Sequence, residues 1–340
     1  MTPETKAATQ PTPALFFDTA NAHQRTEALK TAVELGLFTA IGEGKKTTRE
    51  LAAACGASER GTRILADYLT IFGLLTKQDG KYALTPDSAT FLDKRSPAYL
   101  GGTLEFLLTP KLIDNFKQLT EVVKKGGTVS EEGMTEADNP AWVKFAQAMA
   151  PMMAMPAQLI AKMIDPQADA KLHILDIAAG HGLYGLAFAK RNPQVEVTAV
   201  DWRNVLEVAK ENAAAVGVSD RYRTIPGSAF DIDYGTGYDV VLITNFLHHF
   251  DVPTCEAFLR KVHAALADGG RAITLEFVPN ADRISPPQAA AFSLIMLATT
   301  PAGDAYTFAE LDSMFRNAGF TRSEITDLPP TIQRVVTSYK

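Results

Sequence analysis

Hydrophobic positions fall into two regimes along the chain. From about residue 15 to 100, and again from about 104 to 164, apolar side chains recur close to helical spacing; from 171 onward they gather in short continuous runs. In the first stretch Ala28, Leu29, Ala32, Val33, Leu35 and Leu37 predict a helical segment that ends in the Gly-rich GEGKK. Thr47 or Thr48 caps the next helix, with Glu50 three residues after Thr47 as in a capping box, and Ser58 opens another over SERGTRILADYLTIFGLL. LLTKQDGKYALT then reads as two short strands joined across Asp79-Gly80. Helix, helix, turn, helix, hairpin is the order of a winged helix.

The second helical stretch predicts turns at 125–127 and 138–140. It carries five methionines in AWVKFAQAMAPMMAMPAQLIAKMI, where Pro151 and Pro156 are expected to break the helix. Met149, Met152 and Met153 suit either an ordinary buried helix face or the wall of an adaptable apolar pocket. Beyond 171, KLHILDIAAG, VEVTAVDW, YDVVLITNF and RAITLEFV each supply one buried strand, and LYGLAFAKRN, NVLEVAKENAAAVG and PTCEAFLRKVHAALADGG supply helices between them. That alternation predicts an α/β fold with a mostly parallel, doubly wound sheet.

The sharpest feature is ILDIAAGHGLYGLAFAKRNPQVEVTAVDW. A strand ends at Asp176-Ile177, a loop of small residues runs Ala178-Ala179-Gly180-His181-Gly182, and a helix begins near Leu183. Small residues let the backbone pass close beneath a ligand while helix N–H groups point at it. The next strand ends in Asp201, 25 residues after Asp176, with Trp202 beside it. A carboxylate there can accept hydrogen bonds from both ribose hydroxyls of an adenosine. Dinucleotide enzymes use a similar loop, so the loop alone leaves the cofactor open. Two details tip the choice. The βαβ unit lies mid-chain behind the winged helix, and Asp-x-x-x-Gly-x-Gly followed by a strand-end acid resembles S-adenosylmethionine methyltransferases. AAGHG is similar to the GGGTG usual there, with alanine at the first two positions, so Ala178, Gly180 and Gly182 become cofactor-binding candidates. GSAFD, after 222–226, lies where such enzymes hold the adenine edge; Ser228, Ala229 and Phe230 are the candidates, Ser228 standing where Asp is more common.

YDVVLITNF runs straight into Leu247-His248-His249-Phe250, and RAITLEFVP ends at Glu276. Ligands of open α/β sheets bind at the carboxyl ends of strands, so His248 and Glu276 come to neighbouring strand ends. An imidazole there can take a proton from a nucleophilic hydroxyl while the carboxylate fixes its tautomer and steadies the imidazolium. A packed structural histidine is the competing reading of His248.

At these residues the whole chain resembles the plant-type caffeate and acetylserotonin O-methyltransferases, a family with many bacterial relatives. The resemblance implies a winged-helix dimerisation domain over 1–103, a helical connector over 104–170 that contributes to the substrate pocket, and a Rossmann-like class I methyltransferase domain over 171–340. It also implies that His248 is the general base, matching the family's His-Asp-Trp segment, that Glu276 is its partner, and that catalysis is metal-independent. Three departures stand out. The family's second glutamate, before the final helix, falls at about Ala305 in PAGDAYTFAEL; the lysine four residues before the base is Thr244, followed by Asn245 as a cofactor contact; and the base is followed by His249, an acceptor-pocket candidate.

Composition narrows the partners. The 340 residues are 46% hydrophobic and 21% charged, which excludes a largely disordered chain, and 33 Lys+Arg against 39 Asp+Glu give a net charge of −6. Residues 1–100 hold 12 basic and 11 acidic side chains, and the candidate recognition helix offers only Arg60 and Arg63 beside Glu59 and Asp67. A DNA reader carries a clear basic stripe, so a protein–protein module is the better reading of the winged helix. Two cysteines, Cys55 and Cys255, point to a reducing compartment. No apolar run reaches the about 18–20 residues of a membrane span, and MTPETKAATQPTPA reads as a short disordered leader and not as a signal peptide.

Together these features predict a cytoplasmic, homodimeric enzyme that transfers a methyl group from S-adenosyl-L-methionine to a hydroxyl of a small, largely apolar acceptor, with no nucleic acid, membrane or metal partner. Transfer to nitrogen or carbon, a family member that no longer methylates, and a winged-helix regulator remain as alternatives.

Overall fold

The computed structural model of the chain describes residues 10–130, 140–165 and 167–340. The first nine residues of the expected leader, and the expected turn at 138 and 139, lie outside the described residues. The chain divides into two compact units, Met1–Leu104 and Glu105–Lys340.

The first unit runs α1 (Ala14–Ala20), α2 (Ala22–Glu34), α3 (Leu37–Gly42), α4 (Thr48–Ala54), α5 (Glu59–Ile71), β1 (Leu75–Gln78), β2 (Lys81–Leu84) and α6 (Pro86–Phe91). Local chemistry sets the breaks. Gly36, at φ +67°, separates α2 from α3, Thr47 and Glu50 form the expected capping box on α4, and the Ser58 side chain accepts from the N–H of Gly61 at the start of α5. β1 and β2 pair antiparallel across Asp79 and Gly80, which sit at φ +50° and +74° as a two-residue hairpin of matching twist requires. Phe38, Leu51, Leu69, Leu75 and Tyr82 close a small core. Two of the four charges of α5 are drawn into a local cluster: Asp67 meets Arg63 at 3.1 Å, Lys77 at 2.5 Å and the Tyr82 hydroxyl at 2.7 Å.

The division falls after the first residue of α7 (Leu104–Leu107), and the second unit goes on with α8 (Pro110–Lys117), α9 (Leu119–Lys125) and α10 (Pro140–Ile164). α10 corrects the expected break, because the helix continues through Pro151 and Pro156. Each proline removes one N–H and frees the carbonyl four residues earlier, on Gln147 and Met152. Both of those residues are exposed, so water can satisfy the carbonyls. Meanwhile Ala146, Met149, Met153, Ala157 and Ile160 bury a continuous stripe.

The sheet follows: β3 (His173–Ile177), α11 (Leu183–Arg191), β4 (Glu196–Asp201), α12 (Arg203–Ala215), β5 (Tyr222–Pro226), β6 (Tyr238–Thr244), α13 (Val252–Ala265), β7 (Leu266–Glu276), α14 (Pro287–Thr299), α15 (Phe308–Asn317), β8 (Arg322–Asp327) and β9 (Arg334–Tyr339). Strand order is β5-β4-β3-β6-β7-β9-β8, parallel from β5 to β7, with β9 antiparallel to both its neighbours. Alternate strand residues feed two cores. Ile174, Val197 and Leu242 pack with α10, α11 and α12, whereas Leu175, Val200 and Val241 pack with α13 and α15. Strand order reverses between β3 and β6, and a crevice opens there at the carboxyl ends.

Candidate active site

The site is built on the loop after β3. Ala178, Gly180 and Gly182 all take left-handed backbone angles, φ +53°, +57° and +74°. Such a conformation costs a non-glycine residue roughly 1–2 kcal/mol, so Ala178 holds local strain at the loop. At Gly182 a Cβ would lie 2.5 Å from the Tyr222 hydroxyl and 3.0 Å from Ala209 Cβ, so only glycine fits. At Gly180 the nearest atom to such a Cβ is 3.9 Å away, which leaves room on that side.

Two carboxylates lie around this loop. Asp176 is fully buried; its Oδ2 accepts from the Gly185 N–H at 2.9 Å and its Oδ1 has no partner among the described residues. Burial, reinforced by the Asp201 charge and opposed by the Gly185 N–H, raises its pKa to about 8. Asp201 accepts from the Gly180 N–H at 2.8 Å through Oδ2 and from the Trp202 N–H at 2.7 Å through Oδ1. Burial raises it to about 6 against those two hydrogen bonds. Each Asp201 oxygen keeps a further lone pair for a ligand.

A cavity of about 490 Å³ lies over these strand ends, within the range of about 300–1,000 Å³ typical of small-molecule sites. Ala178, Gly180, Asp201 and Trp202 line it, as do Ser228, Ala229, Phe230 and Asn245. Phe230 forms an aromatic wall with Phe246 and Phe250, at centroid distances of 5.9 and 4.9 Å. The Ser228 hydroxyl is engaged in its own turn, accepting from the Phe230 N–H at 3.2 Å. Asn245, at φ +55°, accepts from the Gln333 side chain, and Met153 Sδ accepts from the Tyr184 hydroxyl at 3.1 Å.

β6 continues into a 3-10 turn over Leu247–His249. His248 is 5% exposed, and its Nδ1 lies 2.5 Å from Oε2 of Glu276. The other carboxylate oxygen, Oε1, accepts from the N–H groups of Phe246 and Leu247 at 3.0 and 2.9 Å. Three N–H groups therefore converge on Glu276, which fits a carboxylate, places the imidazole proton on Nδ1 and leaves Nε2 as the basic nitrogen. The Phe292 ring stands edge-on to His248 at 4.9 Å and stacks on Phe277 at 4.0 Å. His249, not His248, lines the cavity, and burial together with its neighbour His248 lowers its pKa well below the usual imidazole value.

The O-methyltransferase domain profile matches residues 115–321, more than half of the chain, and the O-methyltransferase dimerisation domain profile matches 17–94. The chain belongs to the O-methyltransferase family. A protein of Nostoc punctiforme PCC 73102, known from its crystal structure, is 56% identical, with a TM-score of 0.94, 98% of this chain and 100% of that one being covered. The 3-hydroxy-5-methyl-1-naphthoate 3-O-methyltransferase of Streptomyces sahachiroi is 29% identical over 90% of this chain and 89% of its own length. Human N-acetylserotonin methyltransferase, solved with S-adenosylmethionine, has the same fold at a TM-score of 0.84 and 20% identity, covering 99% of each chain. The cofactor of this methyltransferase is S-adenosyl-L-methionine.

The residues fit that group. A carboxylate with spare lone pairs, an aromatic wall, and a loop with room at Gly180 suit a ribose, a purine and a backbone-hugging chain respectively. Among the described residues no cluster of three or more His, Cys, Asp or Glu is arranged to hold a metal ion, and no helix is long and apolar enough to cross a membrane. Of the methionine run only Met153 lines the cavity; Met149 lies in the core, and Met152 is 40% exposed. Trp142, Phe145, Tyr184 and Phe246 line it without having been singled out in the sequence. Ala305, at the family's second glutamate, is 1% exposed, and the adjacent Asp304 is engaged by Arg283 at 3.2 Å.

Proposed function

We propose that this methyltransferase transfers the methyl group to a hydroxyl of a small aromatic acceptor, with His248 as general base and Glu276 as the group that holds it. The observation that carries this reading is the 2.5 Å contact between His248 Nδ1 and Glu276 Oε2 at neighbouring strand ends. When bound, S-adenosylmethionine supplies the activated methyl group. Asp201 accepts from the ribose hydroxyls, and residues 228–230 with Phe246 and Phe250 hold the purine. His248 takes the hydroxyl proton on Nε2, and Glu276 steadies the imidazolium that forms. The hydroxylated naphthoate in the name of the S. sahachiroi relative sets the size of acceptor for the first screen.

The test is transfer from isotopically labelled S-adenosylmethionine across hydroxylated aromatic acceptors, with the methylated atom assigned by mass and NMR spectroscopy. Label on oxygen supports the proposal; label on carbon or nitrogen overturns it.

The first unit is read as the homodimerising part of a cytoplasmic enzyme. Its helix α1 buries no side chain, leaving Leu15, Phe16 and Phe17 exposed, an apolar patch of the kind that marks interfaces. Both cysteines are free. The near-balanced charge of the unit and the local pairing of Arg63 and Lys77 with Asp67 speak against nucleic acid as a partner. Light scattering at micromolar concentration is expected to return twice the chain mass.

A further inference from the structure

The cavity has no Lys or Arg among the described residues that line it. The cofactor nevertheless brings a carboxylate at its amino-acid end, and a carboxylate removed from water needs donors. Helix N-termini commonly supply backbone N–H groups for this purpose, but here the loop has committed five of them, which leaves few for a carboxylate. The N–H of Ala179 goes to Val200 O, that of Gly180 to Asp201, that of Gly182 to Ala179 O, that of Leu183 to His181 Nδ1, and that of Gly185 to Asp176.

We infer that His181 fills this gap: its Nε2–H is the neutral side-chain donor that holds the carboxylate of S-adenosylmethionine. Because Nδ1 accepts from the Leu183 N–H at 3.1 Å, the ring proton sits on Nε2. The ring is buried to 6% exposure, lines the cavity and is tilted beside Tyr184 at 6.0 Å. Burial lowers its pKa to about 4, so the donor stays uncharged across physiological pH. The order of strands sets which half of the cofactor it meets. Residues 227–231 follow β5, Asp201 ends β4, and His181 belongs to the loop after β3, the next strand in the sheet. With the purine and ribose on the first two, the amino-acid half falls to the third. The Tyr184 hydroxyl is not the donor, since it already donates to Met153 Sδ.

The inference rests on S-adenosylmethionine occupying this cavity, and the test separates the two claims. S-Adenosylhomocysteine and 5′-methylthioadenosine share the adenosine half, but only the first has the carboxylate. Both are titrated calorimetrically into wild type, His181→Ala and His181→Gln, with thermal melts to check folding. His181→Ala is expected to weaken S-adenosylhomocysteine by about 10- to 100-fold, as for a hydrogen bond to a charged group, and to leave methylthioadenosine within twofold. His181→Gln, which keeps an N–H at similar reach, is expected to recover much of that loss. In wild type the ratio of the two affinities is expected to stay constant from pH 5.5 to 8. Equal loss for both ligands, no loss for either, or a ratio that grows as pH falls toward 6 overturns the neutral-donor role. Failure of wild type to bind either ligand overturns the cofactor assignment beneath it.

Discussion

The imidazole of His248 and the carboxylate of Glu276 meet at 2.5 Å across 28 residues of sequence, and the second oxygen of the same carboxylate is pinned by the N–H groups of Phe246 and Leu247. The carboxylate thus ties the turn that carries the histidine to the end of the neighbouring strand and fixes the ring's tautomer together.

This double duty predicts the effect of Glu276→Gln. The amide oxygen can take over the two backbone N–H groups, which turns the amide NH₂ toward Nδ1. That nitrogen must then accept, so the ring proton moves to Nε2 and the base is lost. Turnover is expected to fall by about 10²-fold, within the usual reach of acid–base catalysis, while S-adenosylhomocysteine affinity changes little. Steady-state kinetics beside calorimetry check both parts.

Asp201 makes cofactor binding depend on pH. In the free protein its pKa is raised to about 6 by burial, and ribose hydroxyls favour the ionised acceptor. Affinity for S-adenosylhomocysteine is therefore expected to weaken as pH falls through 6 and to level off above 7. Asp201→Asn should flatten the profile, and Asp201→Ala should lose about 1–3 kcal/mol of binding. A calorimetric series from pH 5 to 8 reads these outcomes directly.

The buried Asp176 predicts a stability effect of known sign. Its folded pKa, about 8, stands above the ordinary carboxyl value of 3.8. The stability it contributes is full below the unfolded value and is lost as pH rises through about 8, because the folded state holds a proton the unfolded chain has released. Between pH 7 and 8 the depressed histidines His181 and His249 are neutral in the folded state and nearly so in the unfolded one, so Asp176 dominates the change. The urea midpoint of the cofactor-free protein is expected to drop over that interval, and Asp176→Asn to remove the drop.

Much of the site could be read before any coordinates because its residues mark strand ends. Asp176, Asp201 and Glu276 each close an apolar run, and small residues at 178–182 leave few alternatives to a tight strand–helix loop. The hairpin at Asp79-Gly80 and the caps at Thr47 and Ser58 are similarly local. What escaped the sequence depends on packing between distant segments. Trp142 and Phe145 reach the cavity because α10 continues through two prolines, which local propensity disfavours. β8 reads as the mostly exposed RSEITD and has no apolar run to announce it. The consecutive His248 and His249 point to different neighbours because a 3-10 turn rotates each residue by about a third of a circle; only the coordinates show that the second one lines the cavity.

In the proposed reaction His248 removes the acceptor proton. The decisive measurement is single-turnover methyl transfer by His248→Gln on an acceptor identified in the labelled screen, at saturating S-adenosylmethionine. The rate is expected to fall by about 10²–10⁴-fold with S-adenosylhomocysteine affinity within twofold of wild type. A variant that keeps the wild-type rate would show that the acceptor needs no base, and the proposed hydroxyl chemistry at His248 and Glu276 would be wrong.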